Sequence, residues 1–103
     1  MTLSLFITSD ARQDTKDIGR YLEERNPSAA RRFARAVGET TEMLQRNPNL
    51  GERFRADSSG QIRFRTISGF KNYLIFYRRV DSVLEIIRVL HGARDYETMF
   101  NEE

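Results

Sequence analysis

"YLIFYRRVDSVLEIIRVLH", residues 73–91, contains two apolar runs separated by one polar pair. Tyr73–Val80 is apolar on both faces for five residues, as a strand covered from both sides would be. Val83–His91 repeats the pattern, and Asp81-Ser82 between them suits a two-residue hairpin turn. Immediately upstream, "QIRFRTI" (61–67) alternates, with Ile62, Phe64 and Thr66 on one face and Arg63 and Arg65 on the other. "SGFKN" (68–72) links it to the next strand. The C-terminal half therefore predicts a three-stranded antiparallel sheet.

The N-terminal half changes period. "LSLFI" (3–7) reads as a short strand, followed by the capping types Thr8, Ser9 and Asp10. Ala11, Thr15, Ile18 and Leu22 then recur at helical spacing and predict a helix over 10–25. Asn26-Pro27 ends it and suits the start of a second helix over 27–46, with Ala30, Phe33, Val37, Thr41 and Leu44 as its stripe. Pro48 stops that helix, and the short break between the two predicts an antiparallel hairpin. "LGERFRADSSG" (50–60) reads as a polar loop. The order gives one α+β domain over 1–103: an N-terminal strand, a helical hairpin and a three-stranded antiparallel sheet with the helices on one face. Phe33, Val37, Ile18, Leu22, Ile75, Ile87 and Val89 are the expected core, and Arg63 and Arg65 are expected on the face without helices.

Composition narrows the chemistry. The 103 residues are 39% hydrophobic and 31% charged, with seven Phe and four Tyr to build a core. No cysteine is present, which excludes disulfide and thiol chemistry and suits a reducing cytoplasm. One histidine without cysteine argues against a zinc site, and neither a metal nor a cofactor is expected. No apolar run approaches the roughly 20 residues of a membrane span. The net charge is only +2, but from Arg53 to Arg94 nine basic residues face three acids, and eight of the nine are arginine. Such a half suits an anionic partner: nucleic acid, ribosome or an acidic protein segment. A solvated sheet face is the plainer reading.

The helical hairpin "SDARQDTKDIGRYLEERNPSAARRFARAV", then "NPNLGERFR", then "IRFRTISGFKNYLIFYRRVDSVLEIIRVLHGARD" together resemble the ParE/RelE superfamily of type II toxin–antitoxin toxins. The ending "RVLHGARD" resembles the ParE branch. That branch implies a toxin without an active site, which binds DNA gyrase and traps it on cleaved DNA. It also implies a cognate antitoxin, a toxin–antitoxin hetero-oligomer and a role in plasmid stabilisation. The RelE branch implies instead a ribosome-dependent mRNA endoribonuclease, with ribosome and mRNA as partners. A non-toxic paralogue or a simple nucleic-acid-binding module is the third class.

Cleavage of RNA by its own 2′-OH needs proton transfer and charge stabilisation at phosphate. RelE-type toxins use sheet lysines and arginines with a tail tyrosine or histidine. Here Phe100 stands at the expected tail position and cannot donate a proton, and arginines replace the lysines. The nuclease set is incomplete, which favours gyrase. The target-binding candidates are Arg63, Arg65, His91, Arg94 and Tyr96. His91 either packs at its strand end or touches the target, and Arg94 either pairs with a nearby acid or faces it. Tyr73 and Tyr77 read as core.

Overall fold

Thr8 ends one element and begins another. Its hydroxyl accepts from the Ala11 amide at 3.1 Å, capping the first helix, and donates to the Ile87 carbonyl at 2.8 Å. This computed structural model describes residues 2–92 and Asp95. Strand β1 (Ser4–Ile7) leads into helices α1 (Ser9–Arg25) and α2 (Pro27–Arg46), then strands β2 (Glu52–Arg53), β3 (Arg63–Ile67), β4 (Phe70–Val80) and β5 (Val83–His91). Asn26 serves both helices. Its amide donates to Leu22 O at 2.6 Å, and its side chain accepts from the Ser28 and Ala29 amides at 3.1 and 3.3 Å. The helix limits match the expected ones to one residue.

The sheet is larger than expected. Its order is β1-β5-β4-β3-β2, with β1 parallel to β5 and the remaining pairs antiparallel. The expected three strands form its middle. β1 joins one edge, because its apolar run needs a ladder partner and β5 offers its outer side. β2, taken from the expected loop, pairs two residues with β3 at the other edge. The β3–β4 turn is tighter than "SGFKN" implied: β4 begins at Phe70, and Gly69 supplies a φ of 80°. Asp81 takes φ 54° at the β4–β5 turn, a conformation Asp tolerates better than most residues.

Both faces of the sheet are packed. One carries the helices over Phe33, Leu44, Ile75, Tyr77, Leu84, Ile86 and Val89. On the other, Phe54, Phe76 and Leu90 form a second cluster with Ile62, Phe64 and Leu74. The segment 54–62 lies over this second cluster, held by the Asp57 carboxylate. That group accepts from the Ser59 hydroxyl at 2.6 Å and from the Gln61 and Ile62 amides, each at 3.0 Å. These bonds, Ser59 first, lower its pKa below the ordinary 3.8. The anchor is thus complete above that value and is lost as acid protonates the folded group below it. Asp57→Ala should speed amide exchange at Ile62 about tenfold at pH 7, measured by NMR.

The register shifts between Phe76 and Tyr77. This irregularity breaks the simple alternation of β5, so Leu84, Ile86 and Val89 all join the helix-side core. The expected core residue Ile87 is therefore replaced there by Ile86. Phe33, Ile18, Ile75 and Val89 are buried as expected, with Leu22 and Val37 packed at the margin.

Candidate functional site

α1 and α2 do not close completely over the sheet. Between them runs a groove of about 310 Å³ with Ile7, Phe33, Ile86 and Val89 among its lining residues. Small side chains keep it open: Gly19 on α1 and Ala30 and Ala34 on α2. A Cβ built at Gly19 would meet nothing within 4 Å. Arg12 and Lys16, both exposed, stand one turn apart on the α1 lip. The arrangement is an apolar slot with a cationic margin, suited to apolar side chains carried on an acidic segment.

The sequence candidates lie elsewhere. Arg63 pairs with Tyr77 and Arg65 with Ile75 across the β3–β4 ladder. Residues directly opposite share a face. The two arginines therefore stand on the helix-bearing face, not the helix-free face expected for them. Phe64 takes the other face because the 54–62 segment covers it. Arg63 Nη1 donates to Gly51 O at 2.8 Å, and Arg65 Nη1 to Leu50 O at 3.2 Å. Both hold the turn after α2 while remaining partly exposed.

His91 sits against Tyr73, with ring centroids 5.1 Å apart and planes at 87°. Its amide donates to Asp95 Oδ2 at 3.1 Å. Tyr73 and Ile75 are two residues apart on β4, with β5 and β3 on opposite sides. His91 and Arg65 are thus separated by roughly 12 Å of sheet, and the structure does not bring them together. Arg94 and Tyr96, and Phe100 with them, lie outside the described residues.

Two polar centres leave no local signal in the sequence. In one, the Asp14 carboxylate accepts from Arg88 Nε at 2.8 Å, from Arg88 Nη2 at 3.0 Å and from the Val89 amide at 2.9 Å. β1 pairs β5 only as far as Ile86. Beyond that point Thr8 and Asp14 take over the edge of β5, satisfying Ile87 O and Val89 N. In the other, the Tyr77 hydroxyl donates to Pro48 O at 2.7 Å and accepts from the Gly51 amide at 2.8 Å. Burial raises the Tyr77 pKa above 10.0, against the opposing pull of the Gly51 bond and of Arg63 and Arg65. Arg78 is paired with Glu85 as well. Much of the basic half is therefore spent on internal contacts rather than on an open cationic patch.

A family model described as the ParE toxin of type II toxin–antitoxin systems, parDE, matches residues 5–96. The chain belongs to the ParE toxin family. The match includes both helices and every strand but the first residue of β1. Among solved structures, a chain from the chromosomal ParDE toxin–antitoxin system of P. aeruginosa superposes with a TM-score of 0.72 at 20% identity, covering 87% of this chain and 96% of that one. That likeness establishes the ParE-like fold. Comparison with curated proteins returned no match. Among the described residues of this ParE-family chain, no group of three or more His, Cys, Asp or Glu is placed to hold a metal. Among the same residues, no helix is long and apolar enough to cross a membrane.

Proposed function

We propose that this chain is a cytoplasmic gyrase poison. It binds DNA gyrase, traps the enzyme on cleaved DNA, and is neutralised in a hetero-oligomer with a cognate antitoxin. The family match over 5–96 carries the reading. Support also comes from the separation of two of the groups that RNA cleavage would draw on: His91 packs on Tyr73, roughly 12 Å across the sheet from Arg65. Arg63, Arg65, His91, Arg94 and Tyr96 remain the proposed target-facing set. The deciding assay mixes the purified chain with gyrase, ATP and plasmid, and measures linear DNA after denaturation. Accumulated cleaved DNA that disappears when antitoxin is added is the expected result. Undisturbed gyrase with codon-specific mRNA cutting on programmed ribosomes would replace this reading with the RelE one.

In the same reading, the antitoxin lays an acidic segment along the hairpin, its apolar side chains in the α1–α2 groove and its carboxylates toward Arg12 and Lys16. Reversing both charges, Arg12→Glu with Lys16→Glu, should weaken antitoxin binding at least tenfold, chiefly through slower association, and should reduce its salt dependence. Calorimetric titration at two salt concentrations measures it. An affinity within two-fold of the unaltered chain would remove the groove from the interface.

A further inference from the structure

The two edges of this sheet are built differently. β2, at one edge, is two residues long, and both Glu52 and Arg53 are charged. That is the usual way a sheet edge is kept from pairing. β1, at the other edge, has no charge, no proline and no bulge: its sequence is Ser-Leu-Phe-Ile. Its side chains are also open. Phe6 is 55% exposed and Leu5 is 40% exposed, although both are large and apolar.

The backbone of β1 faces two ways. The Ser4 amide donates to Ser82 O at 2.9 Å and the Thr8 amide to Ile86 O at 3.1 Å, so the even residues address β5. The odd residues face outward. Leu3 is satisfied there by α2: its amide donates to Gln45 O at 3.0 Å, and its carbonyl accepts from Gln45 Nε2 at 2.8 Å. Leu5 and Ile7 turn their N–H and C=O groups to the same open side, beyond the reach of Gln45.

We propose that β1 is a pairing edge for a second copy of this chain. A two-fold axis through Phe6, normal to the sheet, places Leu5 opposite Ile7 of the other copy, and Ile7 opposite its Leu5. Each such pair exchanges two backbone hydrogen bonds, four in all. Phe6 meets its own counterpart across the axis in a non-hydrogen-bonded pair, where side chains approach most closely. The helix-free face then carries two touching phenyl rings, and Leu5 packs against the other copy's Ile7 on the helix-bearing face. Residues two apart on one strand make the edge self-complementary, as a two-fold interface requires. An uncharged edge also gives no selection for the acidic partner that suits the cationic α1 lip. The pairing is independent of the gyrase reading and shares only Ile7 with the lining of the groove.

A four-residue edge buries less than the roughly 1,200 Å² of a standard stable interface, so the association is weak and concentration-dependent. Sedimentation of the full chain from about 10 μM to about 1 mM should show a monomer–dimer equilibrium. Over the same range, the amides of Leu5 and Ile7 should gain exchange protection while that of Phe6 stays constant. Two folded variants test the geometry. Phe6→Lys sets like charges across the axis at an exposed position. Leu5→Pro removes one outward donor and leaves the β1–β5 ladder intact. Each should raise the dissociation constant at least tenfold, with circular dichroism unchanged. A chain that stays monomeric to 1 mM overturns the proposal, and so does a dimer indifferent to both variants. A monomeric chain whose antitoxin affinity falls in Leu5→Pro would assign the edge to the antitoxin instead.

Discussion

Asp14→Ala should lower the stability of this domain by about 3 kcal/mol in urea unfolding at pH 7. Asp14 and Arg88 keep only 13% and 17% of their side-chain surface exposed, so the pair lies well below the surface. Truncating the carboxylate removes the Asp14 charge from beside a mostly buried guanidinium, which is more damaging than replacing the whole pair by apolar residues. It also removes the acceptor of the Val89 amide, at a point where β1 no longer covers β5. Two controls separate these losses. Asp14→Asn keeps an oxygen for Val89 and should recover part of the loss. Arg88→Met in the Asp14→Ala background removes the charge and should recover another part, because an apolar chain of similar length suits the site. A loss below 1 kcal/mol in Asp14→Ala would mean that solvent replaces the carboxylate. For a domain of this size, usually stable by about 5–15 kcal/mol, a loss of 3 removes a substantial share.

The Asp14 pair also marks the limit of what could be read in advance. Its members are 74 residues apart, and Asp14 looks like any other charged residue on the exposed side of a helical stripe. The hairpin was legible because its signals are local: Asn26 and Pro27 at one break, Pro48 beyond the second helix, and apolar side chains at three- and four-residue spacing. The β4–β5 hairpin was legible for the same reason, with Asp81-Ser82 between two apolar runs. The parallel union of β1 with β5 was not, since a crossover through two helices leaves no pattern in either strand. β2 has too few residues to show a period. Alternation in β3 separates Phe64 from Arg63 and Arg65 correctly, but the expectation that the arginines face away from the helices is reversed, because alternation alone does not fix which set faces them. Both faces turned out to be covered, and the aromatic one went under the Phe54 segment. For the candidate site, the residue types that line the α1–α2 groove were visible as a helical stripe. The opening between them was not, because it depends on how closely two helices approach.

Gly51→Ala is expected to cost about 3 kcal/mol, near the upper end of what overpacking usually does. Gly51 is buried in the turn after α2, and its φ is not the reason for glycine there. The reason is proximity. A Cβ at this position would collide with the Tyr77 hydroxyl and would lie 2.8 Å from both Phe64 O and Tyr77 Cε1. The carbonyl belongs to the β3 ladder and the ring to the middle of the core, so neither can retreat cheaply. Relief requires moving the turn itself, which breaks the Gly51 N–H bond to Tyr77 and loosens the carbonyls held by Arg63 and Arg65. Tyr77→Phe separates the two contributions. It leaves the Pro48 carbonyl and the Gly51 amide without the hydroxyl that joins them and should cost about 1–3 kcal/mol. It should also relieve part of the collision, so the double variant with Gly51→Ala should be less destabilised than the two single losses added together. Alkali gives a second readout. Burial raises the Tyr77 pKa, so the folded state holds this proton more tightly than the unfolded chain does. The stabilisation is complete below the unfolded value near 10 and is lost as pH rises through the higher folded value, where a phenolate can no longer donate to Pro48 O. Urea midpoints taken from pH 8 to pH 11 should fall above pH 10 in the unaltered chain, and less steeply in Tyr77→Phe. Parallel curves for the two would show that the Tyr77 proton is not what ties the turn after α2 to the sheet.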